Sequence, residues 1–190
     1  MLPYIIFGGA VIIIWLLKKS LSTPNLKRVV AIDTESVGGG HCGSVNILAR
    51  VSIVDRQRVI YDEYVKPCMR VTDYRTPWSG IREKDLAKAK KTYDEVRQEV
   101  ARIVQDCILV GHDLKFDLMN LAFSSSYNIR DTSLHTPFRY SSTKPSLKRL
   151  AKIYLNRDIQ VGDHCSVEDA RAAMDLYLLV ENEWEKEMAF

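Results

Sequence analysis

Glycine and proline are scarce, nine and six in 190 residues, which excludes a collagen-like or low-complexity chain. Cysteine is scarcer still. Cys42, Cys68, Cys107 and Cys165 stand far apart with no CxxC pair, so neither a zinc ribbon nor a disulfide framework is expected. Reduced thiols fit a cytosolic or nuclear setting. An excess of one charge is also missing: 27 Lys+Arg against 24 Asp+Glu gives +3, which neither demands nor excludes a polyanionic partner. No Asn-x-Ser/Thr acceptor occurs, in keeping with a non-lumenal domain. What is present is ordinary for a globular chain, 46% hydrophobic and 27% charged, and the length points to one domain with a sizeable core.

Charge is absent from Met1 to Leu17 as well, before Lys18 and Lys19 end the apolar run. As a helix this stretch would reach about 25 Å, against a hydrocarbon core of roughly 30 Å, and the lysines can snorkel. Basic residues follow the run instead of preceding it, unlike a signal peptide. Residues 1–19 are therefore expected to form a membrane anchor helix, 20–27 a linker and 28–185 the folded domain. Lys18, Lys19, Lys27 and Arg28 orient that domain to the cytosol, on a mitochondrial outer or endoplasmic-reticulum membrane. The alternatives are a terminal helix packed on its own domain or on a partner, and a nuclear or cytoplasmic location. Oligomeric state is not legible.

From Lys27 the pattern is α/β. Val29–Asp33 reads as a buried strand, Val45–Val54 alternates with strand period, and Val59–Lys66 is a third strand. Three strands in succession predict an antiparallel meander. Pro67–Gly80 reads as a loop. Thr92–Val104 reads as a helix, Ile108–Gly111 as a strand feeding a helix to about Phe123, and Ser146–Tyr154 and Ser166–Glu185 as two further helices.

Four acids stand where acids are costly. Asp33 and Glu35 share one strand face with Val29 and Ala31, and adjacent carboxylates repel unless a cation or protons intervene; the alternative is a solvated loop after the strand. Asp117 falls inside the stripe Leu114, Leu118, Leu121, where a charge needs a partner. Asp113 lies one turn earlier and could cap that helix. Ser166-x-x-Asp169 reads as a capping box, yet Asp169 borders the packed face of Ala170, Ala173 and Met174. His164 precedes it in a Gly-containing loop, and an imidazole suits removal of a proton from an attacking water. Gly38-x-Gly40-x-x-Gly43 matches a dinucleotide-binding pattern, but a strand follows where that pattern needs a helix. A flexible loop beside the acids is the expectation instead.

Asp-x-Glu at 33–35, Gly-His-Asp-Leu-Lys-Phe-Asp at 111–117 and His-x-x-x-x-Asp at 164–169 resemble the three motifs of the DEDDh (DnaQ-like) exonuclease superfamily. Thr-Asp-Tyr-Arg-Thr at 72–76, Ser-Gly-Ile at 79–81 and Ser-Val-Glu-Asp-Ala-Arg-Ala at 166–172 resemble its interferon-stimulated and ribosomal-RNA-processing branch. The resemblance spans Val29 to Leu179. It implies an RNase H-like α/β fold, with a mixed five-stranded sheet flanked by helices, and 3′→5′ hydrolysis of single-stranded RNA, and possibly DNA, to nucleoside 5′-monophosphates. It also implies two Mg²⁺ or Mn²⁺ ions on Asp33, Glu35, Asp117 and Asp169, with His164 as general base. Substrate contacts are expected at Ser36, Arg75 and Asp113. Ser36 departs from the branch, where Met follows the first-motif Glu. Arg75, Arg139, Lys144, Lys148 and Arg149 form a candidate backbone track, with Tyr74, Trp78 and Tyr140 available for stacking. The competing reading is a catalytically silent nucleic-acid-binding or membrane scaffold on the same fold.

Overall fold

The computed structural model describes residues 27–124, 126–139 and 143–189. Strand β1 (Val29–Gly39) is the axis of the molecule. Antiparallel β2 (Val45–Val54) pairs one side of it and parallel β5 (Ile108–Gly111) the other. Outward lie β3 (Val59–Tyr64) beside β2 and β6 (Asn128–Asp131) beside β5, for an order β3-β2-β1-β5-β6. A sixth strand, β4 (Val71–Asp73), pairs the end of β1 at Gly38 and Gly39. The expected five-stranded sheet is thus six-stranded, because part of the segment 67–80 pairs with the sheet. The antiparallel meander β1-β2-β3 is as expected.

Helices cover both faces. The short α1 (Thr76–Ser79) and α2 (Glu83–Leu86) lead to α3 (Tyr93–Val104), then α4 (Lys115–Asn120), α5 (Leu147–Leu155) and α6 (Ser166–Glu187). Thr92 caps α3 in a capping box with Glu95, so the helix starts one residue later than its sequence pattern. Alternation along β1 divides the core. Val29 and Ala31 pack with Leu150, Ala173 and Met174 of α5 and α6, while Val30 and Ile32 pack with Val96 and Val100 of α3 and with Leu114 and Leu121 around α4.

The glycine-rich turn is pinned, not flexible. Gly43 N–H donates to Thr72 Oγ1, which itself donates to Gly40 O. A Cβ on Gly38 would meet Gly43 Cα at 2.6 Å, so the turn needs a bare backbone there.

Residues 1–26, with the anchor helix and all of the linker except Lys27, lie outside the described residues, as does Tyr140. The cytosol-facing membrane placement is corrected: among the described residues no helix is long and apolar enough to cross a membrane.

Candidate active site

Asp33 and Glu35 lie inside an eleven-residue strand, not at the end of a short one. Pairing with β2 continues past both, Asp33 opposite Ser52 and Glu35 opposite Arg50, and the register shifts between Glu35 and Ser36. Such a bulge locally bends a strand and re-aims its side chains. The solvated-loop alternative is therefore wrong; Glu35 is 7% exposed. Arg50 faces Glu35 but is held bidentately by Asp62, both contacts at 2.8 Å. Arg50 therefore only partly offsets the burial of the Glu35 carboxyl.

Asp169 arrives from the first turn of α6, on the face that packs against β1. The capping box is not formed. Ser166 Oγ instead bonds Ser52 Oγ at 2.7 Å, and Cys165 takes the N-cap position without a side-chain bond. Asp169 is thereby free to join Asp33 and Glu35, and one carboxylate oxygen from each lies within 4.8 Å of the other two. Gln160 Nε2 donates to Asp169 Oδ2 at 2.9 Å, whereas Oδ1 is buried without a partner. A buried carboxylate oxygen left unpaired among carboxylates is costly. It suits a hard divalent cation with oxygen ligands, so the three residues fit such an ion.

Asp117, 5% exposed, approaches β1 from α4. Thr34 Oγ1 donates to Asp117 Oδ1 at 2.8 Å. Its oxygens fall outside the three-carboxylate cluster, yet its charge is felt at Asp33. Burial is the largest cause of a raised pKa at all four acids, and the neighbouring carboxylates add to it at Asp33 and Glu35. Glu35 is pushed up to about 8 and Asp117 to about 7, the latter against the lowering effect of Thr34.

His164 Nδ1 lies 3.8 Å from Asp169 Oδ2. The imidazole, the three clustered acids, Thr34, His112 and Gln160 line one cavity of about 310 Å³. A larger cavity, about 850 Å³, opens beside Lys27 and Val29. Its acids are already paired, Glu181 with Arg56 and Glu185 with Arg130, so the smaller cavity is the chemical one.

Ser36 Oγ is buried without a hydrogen-bond partner. Arg75 donates through Nη2 to Gly43 O at 2.8 Å and through Nη1 to Asn46 Oδ1. Asp113 does not cap α4; it pairs with Lys144 at 2.7 Å. The turn before α4 is held by Asp131 at the end of β6, which accepts from the amides of Asp113 and Leu114. Sequence reasoning missed Asp131, Gln160, Thr34 and Asn120. Asn120 donates to Thr34 Oγ1 and accepts from Asn46 Nδ2, a polar chain from Asp117 to Arg75. Glu168 accepts from Gln160 N–H. Trp78 is 69% exposed, but Tyr74 packs against the Val37–Ile81 cluster.

The raised acids set the pH dependence of the cation-free protein. A carboxyl with a raised folded pKa stabilises the fold below its unfolded pKa, and that contribution is lost as pH rises through the folded value. Glu35 and Asp117 place the loss between about pH 4 and 8. Buried His112 and His135, whose pKa values are lowered, act oppositely only below 6.5. With EDTA, Tm should therefore fall between pH 6.5 and 8.5. At pH 8.5, saturating Mn²⁺ should raise it by about 5–10 °C. A Tm indifferent to Mn²⁺ at that pH would remove the cation site.

A family model described as exonuclease matches residues 30–177. RNA exonuclease 4 of Mus musculus is 44% identical over 177 residues, covering 91% of this chain and 41% of that protein. Interferon-stimulated 20 kDa exonuclease-like 2 of Homo sapiens is 44% identical over 172 residues, covering 86% of this chain and 48% of that protein. The chain thus spans less than half the length of these relatives. Among solved structures, the Saccharomyces cerevisiae Pan2 pseudoubiquitin hydrolase-RNA exonuclease module in complex with AAGGAA RNA superposes with a TM-score of 0.74 at 31% identity. That match covers 86% of this chain and 30% of the Pan2 chain.

Proposed function

The chain belongs to the RNase T exonuclease family, of the DEDD type, and from that premise we propose that it is a divalent-cation-dependent 3′→5′ exonuclease acting on single-stranded RNA. The observation that carries this reading is the convergence of Asp33, Glu35 and Asp169 around the unpartnered Asp169 Oδ1. The names of the relatives and the RNA held by the Pan2 module support RNA as the polymer.

In this reading Asp33, Glu35 and Asp169 would hold cations, and buried Asp117, fixed by the Thr34 hydroxyl, would serve a second. Two Mg²⁺ or Mn²⁺ ions would supply polarisation of the attacking water and stabilisation of charge on the leaving 3′ oxygen. Four carboxylates match the charge of two such ions, so the cleft does not repel a phosphodiester. His164, with Nδ1 3.8 Å from Asp169 Oδ2 at the cavity wall, takes the water proton on its imidazole. The water oxygen bonds to phosphorus, the bond from phosphorus to the 3′ oxygen of the penultimate nucleotide breaks, and a nucleoside 5′-monophosphate leaves. The domain assignment 28–185 is part of this proposal.

Ser36 gives the reading its sugar preference. Its hydroxyl is buried and unpaired, and a ribose 2′-OH satisfies it where deoxyribose does not. The full-length chain should shorten a 5′-labelled RNA stepwise with Mn²⁺ and stop with EDTA. Matched DNA should be cut more slowly, and Ser36→Ala should narrow the ratio by about fivefold, the worth of one hydrogen bond. Loss of label as the first product would reverse the polarity. RNA binding without turnover in saturating Mn²⁺ would reduce the protein to a silent binder.

A further inference from the structure

We infer that the segment from Arg75 to Arg82 is a strap that sets the position of His164, so that Gly80 and Arg82 are positioning residues and contact of the substrate with Trp78 and Arg75 is transmitted to the general base. The inference rests on the reading of His164 as that base.

The stretch 160–165, between α5 and α6, has little of its own to fix it. Val161 is 77% exposed, and Gly162, at φ +95, has open space where a Cβ would stand. Gln160 ties the start of the stretch to Glu168, Asp169 and Lys148. At the histidine end Arg50 Nη1 lies 3.8 Å from Cys165 Sγ, and two further contacts, on Asp163 and on the His164 backbone, come from one distant segment. Arg82 Nη2 pairs with Asp163 Oδ2. Gly80, at φ +63, lies so close to the backbone of His164 that a Cβ there would stand 2.1 Å from the His164 carbonyl oxygen.

The distant segment is internally stiff. Ser79 Oγ donates to Tyr74 O and Thr76 Oγ1 to Ile81 O, both at 2.7 Å, while Ser79 N–H and Trp78 N–H donate to Arg75 O. Buried Ser79 and Ile81 root it, at 4% and 1% exposure. Its other end faces solvent: Trp78 stands 69% exposed, a ring on which a base can stack. A stiff piece gripped at Arg75 and Trp78 by a nucleotide carries Gly80 and Arg82 with it, and these abut His164 and Asp163. The Arg82–Asp163 pair is about half exposed on both sides, so it adds little to stability. Its effect belongs in turnover.

The test uses the full-length chain on a single-stranded RNA oligonucleotide with Mn²⁺. Arg82→Asp and Asp163→Arg should each lower kcat about three- to fivefold with KM within twofold and Tm within about 2 °C, the scale of one exposed pair. The double variant Arg82→Asp/Asp163→Arg should recover kcat. Gly80→Asn, whose side chain tolerates the left-handed backbone but not the His164 carbonyl, should lose about tenfold in kcat. A rise in KM at unchanged kcat for Arg82→Asp, or a double variant no better than the singles, overturns the strap. If the wild type degrades no RNA, the functional reading has failed, and the strap is read separately by NMR. The His164 imidazole signals should then shift in Arg82→Asp and return in the double variant, and unmoved signals overturn it.

Discussion

Asp33→Asn should yield a folded protein whose exonuclease activity is lower by roughly 10³-fold or more. The amide is nearly isosteric, so packing under α6 is kept, but the negative charge is gone. Several kcal/mol of charge stabilisation go with it at about 1.4 kcal/mol per decade of rate. The same substitution should stabilise the cation-free protein. Burial, and then the fields of Asp117, Glu35 and Asp169 around it, raise the Asp33 pKa well above the ordinary value. Removing one member relieves the others. Tm in EDTA at pH 8.5 should therefore rise while the Mn²⁺-induced increment shrinks. Asp117→Asn should also abolish cleavage, with a smaller gain in stability, because Asp117 already receives the Thr34 hydroxyl. Wild-type turnover in Asp33→Asn, measured with metal-stripped reagents and then Mn²⁺, would dismiss the carboxylate cluster as the catalytic centre.

That stability gain has a physical origin which also decided what the sequence could disclose. Asp117 was legible because a charge interrupts Leu114, Leu118 and Leu121, and in the fold Leu114 and Leu121 are buried around a buried carboxylate. Asp33 and Glu35 were legible as acids on the face of Val29 and Ala31, which pack under α5 and α6. Asp169 was ambiguous on local grounds, since Ser166 stood ready to cap. Only the long-range bond of Ser166 to Ser52 resolves it, and no window of local pattern contains both residues. The three-residue β4 and four-residue β6 are too short for a period-2 signal, and β6 is polar at Asn128, Arg130 and Asp131. Asp131 was therefore missed, although it holds the turn that presents α4. The Asp117–Thr34–Asn120–Asn46–Arg75 chain was hidden for the same reason. Its links join residues far apart in sequence, and Thr34, Asn120 and Asn46, taken singly, carry no signal that would connect Asp117 to Arg75.

His164→Ala separates proton transfer from cation binding. The imidazole stands 3.8 Å from Asp169 Oδ2 but is not one of the three converging carboxylates, and Gln160 holds that same oxygen independently. Deleting the ring leaves the acids in place, so the Mn²⁺-induced rise in Tm should survive. Turnover should fall by ~10²–10⁴-fold, the usual contribution of a positioned general base. His164→Gln should be nearly as slow, because an amide can hydrogen-bond an attacking water but cannot accept its proton. The pairing of the two measurements matters. Loss of both activity and the Tm increment would make His164 part of the cation site, and an unchanged rate in His164→Ala would leave the proton without its acceptor in this cavity. A slow enzyme that still binds Mn²⁺ is the outcome expected if the His164 ring, 29% exposed at the cavity wall, meets the incoming water and not the ions.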